Sequence, residues 1–371
     1  MQTADISALN TLVLSASFLL SLLFGALVQR THFCTMGAVS DVVNMGDWTR
    51  MRQWGLAIGV AMAGFALLAY AGLIDPAKTL HGGKRWLWLS AIVGGLLFGF
   101  GMVLSSGCGS KTLVRVGSGN LKSLVVLLVM GMTGFATMKG ITAVWRVATV
   151  DQVGVDFAVT ANLPHLAATA LGLTPSLAAL LLGLGLGAAL IVWALRGQQF
   201  MQGENLLAGL GVGGLIVAMW WVSGSLGHVA EHPDTLEEVF LATNSGRSEA
   251  MSFVAPVAYA LDWLMFYSDK SKVLTLGIVS VFGVIAGSAI MALWTRSFRW
   301  EGFGGTEDVA NHLVGAVLMG VGGVTAMGCT IGQGLTGLST LGLNSLVAFV
   351  AILAGSVAGF KYQMWRLERM T

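Results

Sequence analysis

Three cysteines, Cys34, Cys108 and Cys329, are the side chains of this 371-residue sequence best suited to chemistry. Each sits among small or polar residues: Thr31-His32-Phe33-Cys34-Thr35-Met36-Gly37, Gly107-Cys108-Gly109 and Gly328-Cys329-Thr330-Ile331-Gly332. An odd number cannot be fully paired as intramolecular disulfides, so at least one thiol is free. Structural zinc wants four ligands, usually with close pairs, and a redox relay favours Cys-X-X-Cys; neither spacing occurs. A lone membrane cysteine is ordinarily a small apolar filler. Here all three stand just after an apolar run and two follow Gly directly, which argues for thiols lining a path. Weakly donating S–H groups with polarizable sulfur suit a soft, sulfur-containing substrate.

Charged and polar residues beside the cysteines supply the rest. Ionisable groups at membrane depth are costly and therefore functional candidates. Lys111 and Arg115 after Cys108, and Arg30 before Cys34, are placed to neutralise an anion, with positive-inside anchoring as the plainer role. Gly107, Gly109 and Gly328 mark helix breaks, where N–H groups at a helix N-terminus attract anions. Gln333, Asn311 and His312 are suited to hydrogen-bond an oxyanion or to join helices. Ser106-Gly-Cys-Gly-Ser-Lys111-Thr112 superficially matches a phosphate loop, but Ser110 stands where Gly is needed and an apolar helix precedes it. His228 and His232 share a face if helical, which is compatible with a metal, but no third ligand is visible. No metal and no cofactor is expected.

The elements that must position these residues are read from composition. With 55% hydrophobic and 10% charged residues, against about 25% charged in soluble domains, the chain is a polytopic membrane protein. A net charge of +2 supplies no basic face for nucleic acid. The 51 glycines favour close helix packing and interrupted helices around a cavity. Nine spans of about 20 residues are expected: Thr11–Val28, Trp54–Ile74, Trp86–Leu104, Leu121–Met138, Ser176–Leu195, Asn205–Val222, Val273–Trp294, Val309–Met327 and Asn344–Phe360. Ser252–Phe266 is short, holds Asp262, and reads as a partial or interfacial helix. Met1 to Asn10 lacks the basic region of a signal peptide. Lys and Arg favour an outside N-terminus and an inside C-terminus by 12 to 8. The acidic loop from Glu231 through Asp234 to Glu238 then falls outside.

An internal repeat links the two Gly-Cys motifs. An offset of 221 pairs Cys108 with Cys329, Gly94 with Gly315, Gly99 with Gly320, Gly101 with Gly322 and Gly107 with Gly328. After one inserted residue, Leu113 pairs with Leu335, Leu121 with Leu343 and Ser123-Leu124 with Ser345-Leu346. Each unit is an apolar helix, Gly-Cys, a short small-residue segment and a second apolar helix. The copies follow the third and eighth spans, which run in opposite directions, as in inverted repeats built around a midplane site.

At the three cysteine motifs, Arg30-Thr-His-Phe-Cys34-Thr-Met-Gly37, Gly94–Cys108 and Gly315–Gly334, the sequence resembles the YeeE/YedE family of inner-membrane sulfur-compound transporters, essentially over its whole length. That resemblance implies an all-α membrane domain spanning residues 1–371, hourglass-like, with short inserted helices and pseudo-symmetric halves at about 10–160 and 175–362. It implies uptake of thiosulfate from periplasm to cytoplasm past Cys34, Cys108 and Cys329 by successive S–H···S contacts. Another sulfur or selenium species, or a thiol-dependent intramembrane sulfurtransferase, are the other readings. Some relatives carry a fused sulfur-carrier domain; none follows Thr371, so a separate cytoplasmic carrier is compatible as partner.

Overall fold

The computed structural model describes residues 3–198, 200–233 and 235–369. In lipid every backbone N–H and C=O must be satisfied internally, so the apolar runs become helices. Among the described residues nine are long and apolar enough to span a membrane, and all nine expected segments are found. The main ones are α1 (Thr3–Thr31), α3 (Thr49–Tyr70), α4 (Trp88–Leu104), α6 (Leu121–Lys139) and, after the short helices between, α9 (Pro175–Leu195). The rest are α10 (Gly203–Trp221), α12 (Leu276–Trp294), α13 (Thr306–Thr325) and α14 (Leu343–Glu368). α14 outruns the expected end at Phe360 because its amphipathic tail is anchored: Arg366 donates to Asn311 Oδ1 at 3.1 Å and pairs with Glu307 at 3.0 Å. The apolar segment with Asp262 forms the short helix α11 (Val254–Met265), and Lys272 meets that carboxylate at 2.6 Å.

Short helices interrupt the bundle after each cysteine. They are α2 (Thr35–Met45), α5 (Gly109–Gly117) and the segment 330–339, which is wound around a π-helical turn at Gly332–Gly337. Glycines bring the long helices around them into backbone contact. A Cβ on Gly101 would stand 2.6 Å from the Gly315 carbonyl oxygen, and one on Gly322 would stand 2.6 Å from that of Gly94. The same exchange holds elsewhere: Gly99 abuts the Ile352 carbonyl, and Gly320 abuts the Met130 carbonyl at 2.6 Å. Since Gly94 aligns with Gly315, Gly101 with Gly322 and Met130 with Ile352, each contact is the image of its partner. That reciprocity is what a local two-fold axis produces.

The outer loops hold small antiparallel pairs, β1 (Arg85–Trp86) with β2 (Val155–Asp156) and β3 (His228–Val229) with β4 (Val239–Phe240). His228 lies in β3 and not on a helix, so it shares no helical face with His232. Its Nε2 meets Glu238 at 2.5 Å across the hairpin. Local strand pairing overrides the i, i+4 pattern here, and no group of metal-binding side chains forms among the described residues. Asp234 of the acidic loop lies outside the described residues.

Candidate functional site

The three cysteines are held by one device used three times. Two residues before each cysteine the chain turns into the left-handed region at a non-glycine: His32 (φ 53°), Ser106 (φ 56°) and Met327 (φ 60°). Before Cys108 and Cys329 the parallel extends to individual bonds. Ser106 N–H reaches Val103 and Gly107 N–H reaches Met102, while Met327 reaches Val324 and Gly328 reaches Gly323. This double closure satisfies the last carbonyls of the incoming helix. Each cysteine then accepts the first bond of the following helix: Ala38 N–H on Cys34, Thr112 on Cys108 and Gln333 on Cys329, at 3.0, 2.8 and 2.8 Å. All three are therefore N-cap residues. Cys34 Sγ accepts from Gly37 N–H and Cys329 Sγ from Gly332 N–H, each at 3.5 Å.

The capping geometry aims three positive helix ends, each bearing a thiol, at one region. All three thiols are free and buried. The Cys34 and Cys108 side chains interact directly, and Thr330 of the Cys329 unit lies beside Cys108. Cys108 is thus the middle of the three. Ser110 Oγ is 3.3 Å from its sulfur, and the Phe253 backbone faces Cys329. Phe33 stacks on Trp54 at 4.8 Å and Trp54 on Phe349 at 5.8 Å, walling the Cys34 side with aromatic rings.

Cavities open on both sides of this neck. One, of about 380 Å³, is polar and on balance basic, lined by His32, Lys111, Arg115, Lys122 and Arg299 together with Glu301 and Asp308. The other, of about 200 Å³, reaches Gly328 and Gly332 of the Cys329 unit and is mostly apolar, with His81, Asn244, Glu249, Ser252, Tyr259 and Thr336 as its polar members. Burial lowers His81 to about 4, so its imidazole is neutral, and raises Glu249 to about 7. The basic side belongs to Cys34 and Cys108, both within electrostatic reach of Lys111; the apolar side belongs to Cys329.

The structure distributes the other expected residues among distinct roles. Lys111 lines the basic cavity, and no carboxylate pairs with it among the described residues. Arg115 donates to the Ser106 carbonyl at 2.5 Å, holding the break closed. Arg30 is exposed at the end of α1 and does not line the cavity. Arg50 stands nearer, its guanidinium 2.6 Å from where a Gly37 Cβ would lie and 3.3 Å from Asp41. Gly107 and Gly328 spend their N–H groups on the incoming helices. Gly109 packs loosely by Met130 and Phe253. Gln333 Nε2 donates to the Ala326 carbonyl at 2.5 Å, so this amide fastens a break. His312 contacts Asp308 at 2.9 Å in the basic cavity, whereas Asn311 is tied to Arg366. Sequence reasoning missed Arg50, Thr35, Ser110 and Thr330; the last three were marked only by adjacency to the cysteines.

Comparison with known proteins brings this arrangement into a group. A family model described as Sulphur transport matches residues 30–358. The thiosulfate transporter TsuA of Spirochaeta thermophila is 26% identical over 346 residues, covering 91% of this chain and 95% of its own. TsuA of Escherichia coli K12 is 27% identical over 342 residues, 90% of each chain. The probable transporter YedE of Escherichia coli K12 is 31% identical over 118 residues, 32% of this chain and 28% of its own.

Proposed function

The chain belongs to the Sulphur transport family, and we propose that it takes up thiosulfate across the inner membrane along the line of its three thiols. That it is a multi-pass membrane protein of sulfur-compound transport follows from the family and the nine apolar helices. The observation that carries the finer reading is the meeting of three buried, free, helix-capping cysteines between two cavities of opposite character.

Thiosulfate has oxygens at one end and a terminal sulfur at the other. In this reading S–H groups donate weakly to that soft sulfur, and N–H groups at the helix ends face the charge. Contacts of this strength let the ion leave as readily as it enters, which favours passage over retention. No covalent step is needed. Entry is from the apolar cavity past Cys329, then Cys108, then Cys34, and exit is into the basic cavity. Gathering Lys111, Arg115, Lys122 and Arg299 at one mouth supports placing that mouth in the cytoplasm. The reciprocal glycine contacts support halves of about 10–160 and 175–362 related by pseudo-symmetry. A cytoplasmic sulfur carrier would meet the ion at the basic mouth.

Uptake of labelled thiosulfate into proteoliposomes tests this, with Cys34→Ala, Cys108→Ala and Cys329→Ala compared one by one. Loss in each is expected. Parental uptake by all three would end the thiol-path reading.

A further inference from the structure

Several buried hydroxyls among the described residues donate back to the carbonyl four residues earlier in their own helix. Ser17, Thr112, Thr137, Thr325 and Ser356 do so at 2.7 to 2.9 Å. In lipid this is the cheapest way to satisfy a hydroxyl. Thr35 and Thr330 do not follow it. They are 1% and 0% exposed, and among the described residues no nitrogen or oxygen partner reaches either Oγ1, the Cys108 sulfur being the group set against Thr330. Each is the first helical residue after a capping cysteine, where no complete turn precedes it. For Thr330 the carbonyl four residues back, Ala326, is already taken by Gln333 Nε2.

An unsatisfied buried hydroxyl is destabilising and asks for a reason. Valine is nearly the same shape and would remove the penalty. Among the nine such atoms in the described residues, three (on Thr35, Thr330 and Gln333) lie within four residues of a cysteine. Thr330 lies beside the Cys108 sulfur, and Thr35 follows Cys34 directly. The position after Cys108 is Gly109, with no hydroxyl, and there Ser110 lies 3.3 Å from the sulfur instead.

We propose that the Thr35 and Thr330 hydroxyls are the donors that take the oxygens of the anion while the neighbouring thiols take its terminal sulfur. The inference rests on the thiosulfate reading above and adds to it a pair of specificity-determining residues. Paired donors of two kinds, one hard and one soft, match an ion with two kinds of end. An ion entering the neck supplies the acceptors that the closed neck lacks. The cost of the unsatisfied hydroxyls in the absence of substrate is then recovered when it binds.

The test uses the full chain in proteoliposomes, with Thr35→Val, Thr330→Val, Thr35→Ser and Thr330→Ser. For each valine variant the KM for labelled thiosulfate is expected to rise about tenfold, while its melting temperature in detergent equals or exceeds that of the parent. The serine variants, which keep the hydroxyl, should stay within about twofold. Valine variants with parental KM overturn the proposal. So do valine variants whose uptake and melting temperature fall together, since the hydroxyls would then be structural. A parent that takes up no thiosulfate overturns the underlying reading, and this one with it.

Discussion

The Cys108 and Cys329 units share a frame and differ in what surrounds it. In both, a glycine-lined helix ends in the same double closure, the chain turns through a left-handed residue, and cysteine caps a short helix. After Cys108 that helix is the regular α5, with Lys111 and Arg115 half-buried along a cavity. After Cys329 it is a π-wound segment buried from end to end, its break tied by Gln333 where the first unit has Arg115. Near-identical backbone geometry therefore stands beside a cationic cavity in one unit and a mostly apolar one in the other. The lesson is that symmetry builds the neck and departures from symmetry give it two different ends.

The largest effect should come from breaking the point where the units meet. Cys108 touches both Cys34 and the Cys329 unit, so Cys108→Ala should lower uptake about a hundredfold and Cys34→Ala or Cys329→Ala about tenfold, measured as initial rates. Equal losses in all three would remove the distinction between middle and outer thiols. The shared frame is tested by Gly101→Ala and Gly322→Ala, which put a Cβ against backbone in equivalent places. Each should destabilise by about 1–3 kcal/mol in detergent unfolding, and by similar amounts. A large effect in only one would break the two-fold relation.

The asymmetry is tested next. Lys111→Met should weaken uptake about fivefold with little change in melting temperature, because it removes a cavity charge that no carboxylate among the described residues pairs. Gln333→Leu should do the reverse in kind, costing about 1–3 kcal/mol by leaving the Ala326 carbonyl unpaired. Swapped outcomes would reverse the roles assigned to the two breaks. The smallest expected effect is at the apolar mouth. Burial holds the Glu249 carboxyl up at about 7 from an ordinary 4.5. The folded state then binds more protons than the unfolded one between those values, so stability should fall as pH rises from about 4.5 to about 7. Glu249→Gln should flatten that part of the profile, and an unchanged slope would clear Glu249 of it.

Much of the frame was legible in the sequence because lipid leaves few choices. The nine spans, the short Asp262 helix and the Gly-Cys repeat all follow from apolar length and small-residue spacing. The Cys34 break was read as a break but not as a third copy of the same geometry. Its left-handed residue is His32, and neither it, Ser106 nor Met327 is a glycine, so composition gives no sign of the turn. Arg30 is nearer Cys34 in sequence, but α1 ends with that side chain exposed, while the chain folds back through α2 to bring Arg50 alongside.

Sequence alone determined that this is a membrane protein of tightly packed helices with three thiols at their interruptions, because charge content, glycine content and cysteine position are local properties. Only the tertiary structure decided that the three thiols converge, that Cys108 lies in the middle, that Thr35 and Thr330 lack a nitrogen or oxygen partner among the described residues, and that the two cavities differ. Those are relations between residues up to about 300 positions apart. They depend on which glycine-lined faces meet and on where each short helix begins, and no local pattern encodes either.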